Sequence, residues 1–200
     1  MINVTIEGVI EFFKSTFSYH SIVTIGYFFV CFGVFILNVV FKNKITKLFQ
    51  IRRGSFLNPM NYIRLVTSGV CHADFQHFRN NFIFILLLGP ILEERFGSLV
   101  FLEMILITTV ASSLFHLLFY ESSAIGASDV VYMMVVLCGI ICSFDGRIPI
   151  TFVLLFLFFV FEEIVKMFFH KKNDSVGHDG HVIGAICGIV FGYHLFLLGV

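Results

Sequence analysis

Charged side chains are what this 200-residue chain has least of. Asp, Glu, Lys and Arg together make up 13% of it, where a soluble domain carries about 25%. So few cannot coat a water-facing surface, which leaves no room for a soluble domain. Net charge is missing too: 13 basic residues balance 13 acidic ones, which argues against nucleic acid or any other polyanion as partner. Cysteine forms no framework. Cys31, Cys138, Cys142 and Cys187 lie inside apolar runs and Cys71 at a boundary. An odd set without disulfide or zinc spacing reads as small packing residues. No His-Glu-x-x-His occurs, and neither metal nor cofactor is expected. Low-complexity tracts and internal repeats are lacking as well. Residues 1–20 have neither the basic start nor the small-residue cleavage site of a signal peptide.

What fills the chain is hydrocarbon. Hydrophobic residues make up 58%, Phe alone contributes 28, and the mean hydropathy is +0.96. Apolar runs cover 22–41, 76–94, 99–119, 126–144, 148–169 and 179–199, each close to the ~20 residues a spanning helix needs. The expectation is an all-α polytopic membrane protein, with one six-helix membrane domain over 22–200. Ahead of it, residues 1–21 place Ile6, Ile10, Phe13 and Phe17 opposite Glu7, Glu11 and Lys14. That pattern predicts an amphipathic helix lying on the membrane surface. The long first loop, 42–71, carries Lys42, Lys44, Lys47, Arg52, Arg53 and Arg64 among Phe49, Ile51, Phe56 and Leu57. It is expected to rest partly in the interface.

Polar residues inside such runs are costly unless partnered or used, so their placement is informative. His77 and Asn81 are four apart and project from one helical face near the start of the second run. His72 precedes them by five residues, in the entering turn; the spacing does not suit a zinc-binding helix. Any one of these could simply meet lipid headgroups. Ser128 opens the fourth run after Gly126 and Ala127, where unpaired backbone N–H groups and the helix dipole would stabilise a developing oxyanion. A serine there is most often only a cap. Tyr132 shares its face one turn on; it is more often a packing residue, but it is well placed to hold an imidazole ring. His181 heads the last run, on a face smoothed by Gly180, Gly184, Gly188 and Gly192. Small residues at a four-residue period let helix backbones approach closely in lipid. If the fourth helix packs there, Ser128 and His181 come within hydrogen-bond reach, the first demand of an activated nucleophile. His116 and His194 are assigned to packing or the membrane boundary, and Arg79 is expected to snorkel.

In this order and spacing the segments resemble those of the rhomboid intramembrane serine proteases, over nearly the whole chain from about residue 22. The resemblance is carried by His72-x4-His77-x3-Asn81, Glu93-Glu94-Arg95-Phe96-Gly97-Ser98, Gly126-Ala127-Ser128, and His181-x2-Gly184-x3-Gly188. It implies a six-helix core, Ser128 as nucleophile and His181 as base. It further implies His77 and Asn81 as oxyanion donors, Tyr132 packed on the His181 ring, and a structural His72. The implied partners are transmembrane protein substrates within the lipid bilayer, reached laterally beside the fifth span with its Glu162, Glu163 and Lys166.

One position departs: Asp129 stands where that family usually has glycine. In the first helical turn a carboxylate is favoured by the dipole and can cap free N–H groups. It is also expected to point about 100° away from Ser128. Asp129 supports an alternative, a non-cleaving relative that binds transmembrane clients. A small transporter or channel, motivated by Arg79, Asp129 and Glu163, is a further rival. An aspartyl mechanism is discarded, because Asp129 and Asp145 fall near opposite ends of one span. Orientation sets two rules against each other. The positive-inside rule puts the basic 42–71 loop in the cytoplasm, whereas the resemblance puts it outside, and the resemblance is preferred. The location expected is the plasma membrane of a bacterium. Oligomeric state is not set by the sequence.

Overall fold

Each apolar run folds as a helix, and capping or special-backbone residues mark several of the ends. The computed structural model describes residues 21–120, 123–143, 147–161 and 178–198, together with Ile6 and Val165. Helix α1 spans Ile22–Val40, followed by the short helices α2 (Lys44–Phe49) and α3 (Pro59–Thr67). The long helices α4 (Phe75–Phe96) and α5 (Ser98–Phe119) come next. Helix α6 is Ser128–Ile141, α7 is Ile150–Leu155 continued by a π-helical turn over Phe156–Phe161, and α8 is His178–Leu198. The expected surface helix over 1–21 falls outside the described residues except for Ile6 and Ser21, as do Asp145, Glu162, Glu163 and Lys166.

The six expected spans correspond to α1, α4, α5, α6, α7 and α8. Among the described residues, α1 and α5 are long and apolar enough to cross a bilayer by length and composition. Helix α6, Ile150–Phe159 and Gly180–Leu195 are apolar but shorter. The fourth run is helical for only 14 residues, because Gly126 (φ +109°) holds the chain outside helical geometry until Ser128. The 42–71 connection contains more structure than expected: two helices and a 3-10 turn over Ser68–Val70. Asn58 caps α3 through Oδ1, which accepts from the Met60 N–H at 3.0 Å, and Pro59 occupies the first turn.

Helix α6 is the central post. Asp129 through Leu137 are all buried, with α4, α5, α7 and α8 packed around them. The glycine face of α8 makes the closest of these contacts. A methyl group built on Gly184 would collide with the Asp129 carbonyl, and one on Gly188 would lie 2.6 Å from the Met133 carbonyl. Only a hydrogen atom fits at either place, so the α6 and α8 backbones touch almost directly. On the other side, Glu93 ties three helices together. Its buried carboxylate accepts from the Val23 and Thr24 N–H groups at the start of α1 (2.8 and 2.9 Å), from Thr24 Oγ1 (2.9 Å) and from Ser98 Oγ opening α5 (2.7 Å).

Candidate active site

The approach to Ser128 is clamped before the helix begins. Ile51 and Ala124 exchange both backbone hydrogen bonds, at 3.0 and 2.8 Å, and the Gly126 N–H donates to the Ser68 carbonyl at 2.9 Å. The long first loop thereby fixes the strand of chain that delivers Ser128. Gly126 lies against the start of α4: a side chain there would sit 2.5 Å from His77 Nε2 and 3.5 Å from Asn81 Nδ2. Positive φ and this contact together require glycine.

His181 reaches Ser128 from α8. Its Nε2 lies 2.9 Å from Ser128 Oγ. With the ring proton on Nδ1, the serine hydroxyl donates to Nε2. Both side chains are half-buried, reachable yet shielded. The imidazole is stacked on Tyr132, with centroids 4.4 Å apart and planes 11° from parallel. Tyr132 in turn rests on Phe159 of the π-helical turn at 4.8 Å.

From α4, Asp74 caps the helix by accepting from the His77 N–H at 2.8 Å. Asn81 Nδ2 lies 3.1 Å from His72 Nε2. His72 is fully buried in the loop before α4, in edge-on contact with the rings of His77 and Phe78. Burial, reinforced by His77, pushes the His72 imidazole down to about 3, so the ring is neutral at physiological pH. In its Nδ1–H form it accepts one Asn81 N–H and leaves the other available.

The structure thus gathers Ser128, His181, His77, Asn81, Tyr132, Gly126 and His72 at one end of the bundle. Gly184 and Gly188 lie further down the α6–α8 seam. Ser128, His77 and His181 border two cavities. One, of 380 Å³, is lined by Ser112, Ser113, His116, Asp129 and others, with Ile51 and Ser68 contributed by the long loop. The second, of 360 Å³, is lined by Asn80, Asn81, Ile83, Phe84, Val131, Tyr132 and Phe159.

His116, assigned to packing or the membrane boundary, is packed: it is 1% exposed and lines the first cavity beside the serine. The signal lay in α5, where Thr109, Ser112, Ser113 and His116 recur at helical spacing and mark an inward polar face. Asp129 is buried and its residue lines the same cavity as Ser128. Its Oδ1 accepts from the Val130 N–H at 2.8 Å. Arg79 is exposed and donates to Asn80 Oδ1 at 3.3 Å. Among the described residues no group of three or more His, Cys, Asp or Glu could hold a metal ion.

A helical bundle with a serine and a histidine hydrogen-bonded across two of its core helices defines a small class of proteins. The chain belongs to the rhomboid family: the rhomboid domain profile matches residues 59–198. It is 27% identical over 143 residues to the chloroplastic Rhomboid-like protein 11 of Arabidopsis thaliana, covering 64% of this chain and 51% of that protein. To Rhomboid-related protein 1 of Caenorhabditis elegans it is 31% identical over 135 residues, covering 61% of this chain and 36% of the other. The chain thus matches about half or less of the length of these relatives.

Proposed function

We propose that this chain is an intramembrane serine endopeptidase that cuts transmembrane segments of other proteins through a Ser128–His181 dyad. The observation that carries the proposal is the 2.9 Å separation of His181 Nε2 and Ser128 Oγ, made between helices 53 residues apart in sequence. Helices α1, α4, α5, α6, α7 and α8 are read as six spans of a single membrane domain over 22–200, with 1–21 on its surface.

Chemistry follows from the atoms in place. The Ser128 hydroxyl attacks a peptide carbonyl carbon while its proton passes to His181 Nε2. The oxyanion so formed is stabilised by the Ser128 N–H at the start of α6, the His77 ring and the second Asn81 N–H. Collapse breaks the C–N bond, and the His181 proton leaves on the amine. Water from the polar cavity, deprotonated by His181, then attacks the acyl-enzyme and restores Ser128. Tyr132 holds the imidazole plane throughout.

Reconstituted protein incubated with a transmembrane peptide, with products read by mass spectrometry, tests the proposal. Wild type should yield two complementary fragments, and Ser128→Ala none. Equal turnover in Ser128→Ala would sink the assignment. A second reading is favoured by Asp129, whose carboxylate opposes negative charge on a neighbouring oxyanion: a member that binds transmembrane clients without cutting them. Client capture with no fragment from any peptide would favour that reading.

A further inference from the structure

The two cavities that meet at Ser128 differ in chemistry. The 380 Å³ cavity is lined by Ser68, Ser112, Ser113, Ser123 and Asp129, with Ile51 and Ile125 among its apolar residues. The 360 Å³ cavity sets Ile83, Phe84, Val131, Tyr132 and Phe159 beside the polar residues at its catalytic end, and no carboxylate lines it among the described residues. Successive side chains of an extended peptide point to opposite faces. A substrate unwound across Ser128 therefore sends the residue on one side of the scissile bond into the polar cavity. The residue on the other side enters the apolar one.

Asp129 gives the polar cavity its sign. It is 6% exposed and adjoins Ser128 in sequence. One oxygen is occupied by the Val130 N–H, and the Ser112 hydroxyl and the residue's own N–H also bond the carboxylate. A carboxylate has about four acceptor sites, so capacity remains for a donor entering the cavity. Among the described residues no lysine or arginine lines this space. The titratable groups around it are Asp74 and His77 at the start of α4, His116 from α5 and His181 from α8.

We infer that Asp129 determines specificity: it selects substrates that place a hydrogen-bond donor, above all the cation of Lys or Arg, beside the scissile bond, with an apolar residue opposite. This rests on the protease reading. Basic residues are common just outside transmembrane segments, so such a cleavage position is chemically reasonable for a membrane substrate. The inferred role is recognition; the bonds broken and formed are those given above.

The test uses full-length protein in liposomes and peptides that differ only at the two positions flanking the bond, carrying Lys, Met or Glu in turn. Wild type should favour Lys over Met about tenfold or more in kcat/KM at one of the positions, with Glu slowest. Asp129→Gly should bring the Lys-to-Met ratio to about one, and Asp129→Asn should fall between. Fluorophosphonate labelling of each variant shows that its site is assembled. A ratio that Asp129→Asn and Asp129→Gly leave unmoved would overturn this inference alone. Failure of wild type to cut any peptide would overturn the protease reading, and this inference with it.

Discussion

His77 and Asn81 meet their neighbours in different ways. His77 lies over Gly126 with its ring edge-on to His72, whereas the Asn81 amide is oriented by a neutral His72. Removing an oxyanion donor costs about 2.7 to 4 kcal/mol in the barrier. His77→Ala and Asn81→Ala should therefore lower kcat by about 10²- to 10³-fold, as followed by fragment release, while the fold persists. His72 makes a separate prediction. In the folded chain its ring stays neutral down to about 3, while in the unfolded chain it takes a proton near 6.5. Between those values the unfolded state binds more protons, so stability is full above 6.5 and falls as pH drops, by up to about 1.4 kcal/mol per unit. Melting temperatures in detergent across that range should decline more steeply for wild type than for His72→Gln. Parallel slopes would remove His72 as the cause.

At the scale of elements, the α6–α8 seam decides whether serine and histidine meet. Gly184 faces the Asp129 carbonyl directly, so a branched side chain has nowhere to go without parting the helices. Gly184→Val should lower the melting temperature and abolish both cleavage and active-site labelling, a loss of more than about 2 kcal/mol. An outward glycine such as Gly33, with nothing near its missing side chain, should tolerate valine. The seam was legible in the sequence because glycine at a four-residue period is one of the few marks of an inward face in lipid. The polar stripe of α5, in which Ser112, Ser113 and His116 recur at helical spacing, carries the same kind of information. Helices α2 and α3 are hard to read from sequence because they are short and none of their apolar residues is buried.

Across the whole molecule, apolar periodicity says little about which side faces in. Ile22, Phe29, Leu37 and Val40 of α1 are exposed, as apolar as the core residues behind them, because lipid and protein interior reward the same side chains. The places of the apolar helices were therefore legible, but packing partners were not, apart from those implied by glycine, histidine and serine. The phenylalanine cluster of α1 and α4, with the buried Phe78 and Phe82 rings 4.6 Å apart, could not have been assembled from 28 interchangeable phenylalanines. Glu93 shows what does travel from sequence to architecture. One buried acid caps α1 and fastens the opening of α5, so Glu93→Gln should lower the melting temperature by an amount equivalent to about 1 to 3 kcal/mol while leaving the labelled residue unchanged.

Activation of the Ser128 alcohol by the His181 imidazole is measured directly by fluorophosphonate treatment of the protein in liposomes, followed by peptide mapping. A single adduct is expected on the Ser128 oxygen, lost in His181→Ala and retained in His194→Ala. An unlabelled Ser128 in folded wild-type protein, or labelling that proceeds at the same rate without His181, would contradict it.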